Sequence, residues 1–136
     1  MHYLLIPLIL GFSFITSDSG HILVTVEGIT HENGIMVIAL FDNKNNFNVD
    51  PIRFFKEPVK DLKSITVTFD NIDYNKYAIS VYHDINENGK LDKNMIGIPT
   101  EPYGFSNNPR IITGPSYEKS AFELKEKELK MNIRLH

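Results

Sequence analysis

The arrangement of apolar residues predicts an all-β fold: an immunoglobulin-like or transthyretin-like β-sandwich with one long Gly/Pro/Asn-rich loop. Three observations carry that prediction. Apolar side chains recur every second residue far more often than with a helical period. The alternating runs are separated by short clusters of Asn, Asp, Gly and Pro, which is turn chemistry. The Gly-, Pro- and Asn-rich stretch over 84–118 has no sustained periodicity, and a loop of that length is usually functional or locally folded.

The elements follow in chain order. Ile22, Val24 and Val26 alternate with Leu23, Thr25 and Glu27, giving a strand that stops at Gly28. Asn33-Gly34 supplies a turn, because both residues accept positive φ cheaply, and a hairpin to residues 35–41 is expected across it. That second run is apolar on both faces and reads as a central strand. Residues 42–50 are Asn-rich, end before Pro51 and read as a loop; 52–56 fit a short strand or a single helical turn. Ile65, Val67 and Phe69 mark a half-buried strand, and 71–75 a turn into a strand over 77–83 with Ile79 and Val81 inward. Within the long segment, extended pieces are expected near 95–98 and 110–113, and a helical turn over 116–122 capped by Ser116. A last strand over 129–135 places Leu129, Met131, Ile133 and Leu135 on one side.

Length and charge narrow the function classes. At 136 residues the chain has room for one domain with a single core, taken as 20–136. A formal charge of −3 with scattered basic residues leaves no nucleic-acid footprint and no polybasic membrane patch. Residues 4–15 are almost continuously apolar and are followed by Thr16, Ser17, Asp18, Ser19 and Gly20. This pattern predicts a secretory signal peptide over 1–19, cleaved between Thr16 and Gly20, and a periplasmic or extracellular protein without a transmembrane span in its mature form. Its n-region lacks Lys and Arg, and the competing reading is an N-terminal strand or buried helix. The chain has no cysteine, which excludes disulfides and a Cys-linked lipid anchor, so the core must carry the stability.

Chemistry concentrates at 83–108. Asp84, Asn86 and Asn88 space oxygen-bearing side chains two residues apart before Gly89, the opening of a calcium loop. In that template the Lys90 carbonyl and Asp92 follow as ligands, but Met95 stands where a bidentate Glu belongs. Glu101 or a carbonyl would have to close the sphere, giving weak affinity of ~10⁻⁴ to 10⁻³ M. The other reading is a plain turn at Asn88-Gly89, with Asp84 and Asn86 accepting from nearby backbone amides. Tyr103, Phe105, Asn107 and Asn108 fit either a ligand platform for a glycan or protein partner, or a plug that anchors the loop on the core.

The stretch His83-Asp84-x-Asn86-x-Asn88-Gly89-Lys90-Leu91-Asp92, continued by Gly97-Ile98-Pro99-x-Glu101-x-Tyr103-Gly104-Phe105-Ser106-Asn107-Asn108, resembles the bacterial family catalogued as domain of unknown function 2141. Tyr77-Ala78-Ile79 before it, with Gly114-Pro115 and Ala121-Phe122 after it, extend the resemblance over nearly all of 20–136. The resemblance implies an exported β-sandwich and carries over no catalytic residue. No Cys nucleophile, G-x-S-x-G elbow or H-E-x-x-H motif is present, and His83 and Asp84 should face opposite sides of a strand. The expected role is a noncatalytic binding or structural module. The alternative is a hydrolase-like enzyme using the carboxylates of the 84–101 loop.

Overall fold

Alternation at Ile22, Val24 and Val26 builds the first strand, β1 (Ser19–Glu27), and buries all three side chains completely. In the computed structural model, residues 18–136 and Gly11 are described; the expected leader lies outside them apart from Gly11, Asp18 and Ser19. The remaining strands are β2 (Ile35–Phe41), β3 (Arg53–Pro58), β4 (Ser64–Asp73), β5 (Asn75–Asp84), β6 (Tyr103–Phe105), β7 (Phe122–Leu124) and β8 (Glu128–Arg134). A single helical turn, α1 (Tyr117–Ser120), begins at Ser116, whose hydroxyl accepts the Lys119 N–H as expected of a cap.

The strands form two layers. One sheet has the order β4-β1-β8; the other runs β3-β2-β5-β6, with β7 pairing the start of β5. Ile22, Val24 and Val26 meet Met36, Ile38 and Leu40 of β2, together with Ile79 and Val81 of β5, in one core. Phe69 of the first sheet and Phe55 of the second touch across it, with ring centroids 4.9 Å apart. Burying each aliphatic side chain of this kind stabilises the fold by ~1.5–3 kcal/mol, so the core suffices without cross-links. This is the all-β sandwich that the alternation predicts.

The connections differ from expectation at three places. The Asn33-Gly34 pair does not close a hairpin, because β1 pairs with β4 and β8 while β2 pairs with β3 and β5. Its segment crosses between the sheets, drawn over the end of the sandwich by the buried Ile29. Gly34 is needed at that crossing for a different reason: at φ +102° its backbone lies so close that a Cβ would stand 2.6 Å from the Asp84 carbonyl oxygen. Second, Asn71, Ile72 and Asp73 are strand, not turn, and the chain changes sheets at Tyr74. A bulge shifts the β1–β4 register between Gly20 and Ile22, opposite a stretch where Asn71 takes φ 53°. Third, residues 95–98 and 110–113 are not strands. Met95, Ile96, Ile98 and Ile112 are exposed rather than paired, apart from a single bridge between Lys93 and Pro99.

Two short strands went unforeseen. β6 pairs with β5, and its Tyr103 exchanges backbone hydrogen bonds with His136 beyond β8, tying the two sheets along one side. Gly104 permits this approach, since a Cβ there would lie 2.7 Å from the Arg134 carbonyl oxygen. β8 itself runs parallel to β1, a pairing that local patterning cannot reveal.

Candidate functional site

β5 delivers the two ends of the His83-Asp84 pair to opposite faces. His83 is completely buried, with Nε2 2.7 Å from the Asn33 carbonyl oxygen. A carbonyl only accepts, so Nε2 carries the proton and donates. Asp84, 3 % exposed, turns toward the following loop, where its carboxylate accepts the N–H groups of Asn88 at 3.1 Å and Gly89 at 2.8 Å. Glu101 is 7 % exposed and does the same from the far side. Its oxygens accept the Ile85 N–H at 2.9 Å and the Asp92 N–H at 3.0 Å. The two buried carboxylates are thus struts of the loop, each offsetting its desolvation with paired backbone donors.

The exposed half of the loop is built from amides. The Asn86 and Asn88 side-chain NH₂ groups donate to the two oxygens of Asp92 at 2.5 and 2.7 Å. Those bonds, from Asn88 first and Asn86 second, hold the Asp92 carboxyl below its usual range. Asn86 Oδ1 accepts the Asn88 N–H, and Asn88 Oδ1 accepts the Lys90 N–H. The sequence-predicted calcium ligands therefore fall into two groups: Asn86, Asn88 and Asp92 meet at the loop surface, while Asp84 and Glu101 bind its backbone from beneath. Among the described residues, no three of Asp, Glu and His gather where they could hold a metal ion.

The expected platform also divides. Asn107 donates to the Lys119 and Ala121 carbonyls, and Asn108 bonds the backbone of Asn132 and Arg134. Both amides are staples with positive φ, closing the segment that follows β6 onto its neighbours. Phe105 is buried against Phe47, with centroids 5.8 Å apart, and Tyr103 lies beside it at 6.0 Å. These two rings belong to something larger.

Both line a cleft of about 1010 Å³ on the outer face of the second sheet. Strand register fixes its floor as two rungs. Lys56, Val37, Tyr82 and Tyr103 form one; Phe54, Ala39, Ser80 and Phe105 form the other. Small side chains at Ala39 and Ser80 leave a trough flanked by the aromatic rings of Phe54 and Phe105. One wall is the loop carrying Leu91, Ile96, Ile98 and Pro99, held upright by Asn94, whose Oδ1 accepts the Ile96 and Ile98 N–H groups. Residues 111–115, with Ile111 and Ile112, also line the cleft. Burial raises the Tyr82 hydroxyl pKa, with the charges of Asp84 and Glu101 adding to it, so the phenol stays neutral at the foot of the loop. Reasoning from sequence missed this cleft, although two signals were present: β2 is apolar on its outward positions, and the long loop carries isoleucines without strand partners.

A family model described as an uncharacterized protein conserved in bacteria (DUF2141) matches residues 24–132. No curated protein and no solved structure matches the chain.

Proposed function

The chain belongs to this uncharacterized bacterial family, and on that footing we propose that it is an exported, noncatalytic module that binds an apolar ligand in the outer cleft. The observation that carries the proposal is the concentration of exposed apolar side chains around that cleft. Phe54, Ile96, Ile98 and Ile112 are each more than half exposed, and all four line it. Large apolar patches on a folded protein mark interaction sites, and a volume near the top of the ~300–1,000 Å³ range suits a small molecule. A noncatalytic role is supported by the employment of the loop carboxylates, since both oxygens of Asp84 and of Glu101 are committed to backbone N–H groups. Export is supported by the apolar run over 4–15 and the small residues after it, and N-terminal sequencing of the mature protein tests it. Among the described residues, no helix is long and apolar enough to cross a membrane.

The binding role is tested with a neutral apolar fluorophore such as N-phenyl-1-naphthylamine. Saturable fluorescence enhancement is expected for the full chain. It should be lost in Ala39→Leu, which fills the trough, while the thermal midpoint stays within a few degrees. Enhancement that is absent, or equal in the filled variant, refutes the proposal.

Weak calcium binding at the same loop is a second reading, favoured by the meeting of Asn86, Asn88 and Asp92. Turning the two amides over would bring their oxygens beside the Asp92 carboxylate at the loss of their bonds to the Asn88 and Lys90 N–H groups, with the Lys90 carbonyl as a further donor. At 5 mM calcium and a Kd near 0.5 mM, the folded state would gain about 1.4 kcal/mol, a rise of a few degrees in Tm. An unchanged Tm between calcium and chelator removes this reading.

A further inference from the structure

Resting on the binding-module reading, we infer that the ligand is a single-chain amphiphile with an anionic head, of the fatty-acid class, its chain lying in the trough over Ala39 and Ser80 and its head at Lys56 and Lys93. The charge around the cleft is one-sided. Lys56 and Lys93 are the charged residues that line it, and no Asp or Glu among the described residues does so. The chain as a whole has 17 acidic against 14 basic residues, so an all-cationic lining departs from the general surface. The ion pairs among the described residues use His21, Lys44, Lys130 and Arg134, none of which lines the cleft. Lys56 instead stands 5.8 Å from the Phe54 ring centroid, at the end of its rung. Three acids of the loop that carries Lys93 are occupied elsewhere. Asp84 and Glu101 are tied to backbone N–H groups beneath the loop, and Asp92 to the amides of Asn86 and Asn88.

The floor selects the rest of the molecule. β2 and β5 are each paired on both sides, so an extended peptide finds no strand to join over Ala39 and Ser80, and could add one only at the outer edge of β3, beside the trough. The amides of Asn107 and Asn108, which a saccharide would need, are turned onto the backbone of other segments. What remains is a trough over small side chains, bordered by aromatic rings and isoleucines, whose apolar lining suits an alkyl chain.

The test is displacement of N-phenyl-1-naphthylamine from the full chain by hexadecanoate and tetradecanoate, each below its micelle concentration, and by hexadecanol below its solubility limit. Hexadecanoate is expected to bind about fifteenfold more tightly than tetradecanoate, about fourfold for each buried methylene. In the double variant K56Q/K93Q, hexadecanoate should weaken ~5–10-fold, as expected for exposed charge pairs, while hexadecanol stays within about twofold of its wild-type affinity. Both lysines are exposed, so the fold should tolerate the change. If hexadecanol binds the wild type as tightly as hexadecanoate, the anionic head is refuted and the apolar cleft stands. If the fluorophore binds but none of the three alkyl compounds displaces it, the amphiphile is refuted. If the fluorophore itself does not bind, the binding-module reading falls with it.

Discussion

At the scale of single residues, two buried carboxylates do the most. Asp84 and Glu101 each hold two backbone N–H groups of one loop, and hydrogen bonds to a charged acceptor are worth about 1.5–3 kcal/mol apiece. Asp84→Ala or Glu101→Ala strands two donors and is expected to lower unfolding free energy by about 2–4 kcal/mol. Denaturant melts measure this, and a loss below ~0.5 kcal/mol for both would contradict the strut role. Asp92 differs because it is only half-buried, at the loop surface, and bonds side-chain amides. Its folded pKa is lowered, so its contribution is complete above the ordinary carboxylate pKa and is lost as pH falls through the folded value. Glu118, held down by Lys44, and Glu128, held down by His21, act in the same direction. Thermal stability should therefore be insensitive to these groups above about pH 5 and decline below about pH 4. An NMR titration checks the cause: in Asn88→Ala the Asp92 pKa should rise toward its ordinary value, and an unchanged value would contradict the assignment. The D-x-N-x-N-G spacing made these residues legible as a loop of oxygen donors. It could not say which oxygens face backbone amides, because Glu101 returns to the loop only through the fold.

Elements show where local pattern suffices and where it fails. Alternation located β1, β4, β5 and β8, since each turns one face to the common core, an unbroken apolar run located β2, and Ser116 announced α1. The Asn33-Gly34 pair misled because its chemistry fits both a hairpin turn and a tight sheet crossing, and only the packing of Gly34 against Asp84 decides. β6 and β7 are too short to carry a period, and the parallel β1–β8 pair joins residues from the two ends of the domain. The crossings yield a prediction of their own. Gly34→Ala and Gly104→Ala both push a Cβ against backbone carbonyl oxygens, so each should destabilise by more than ~2 kcal/mol. Gly97→Ala places its Cβ in open space, and its positive φ alone should cost about 1 kcal/mol. Equal melts for the three variants would show that close approach is not what requires glycine at the crossings.

For the whole molecule, the division of labour runs between faces. The inner faces of both sheets supply one core, while the outer face of β3-β2-β5-β6 forms the floor of a cleft that residues of the 89–99 loop and of 111–115 also line. The outward apolar residues of β2 (Val37, Ala39 and Phe41) read from sequence as marks of a central strand, and they are also the base of the cleft. Sequence cannot separate those meanings, because a strand covered by its own loops and one covered by a ligand have the same composition. Backbone amide chemical-shift mapping of the full chain during titration with hexadecanoate tests the central claim most directly. Shifts should concentrate on the two rungs, with Val37, Ala39, Phe54, Lys56, Ser80 and Tyr82 foremost, and should leave β1, β4 and β8 unmoved. Shifts centred on the β4-β1-β8 sheet, or none at saturating ligand, would contradict it.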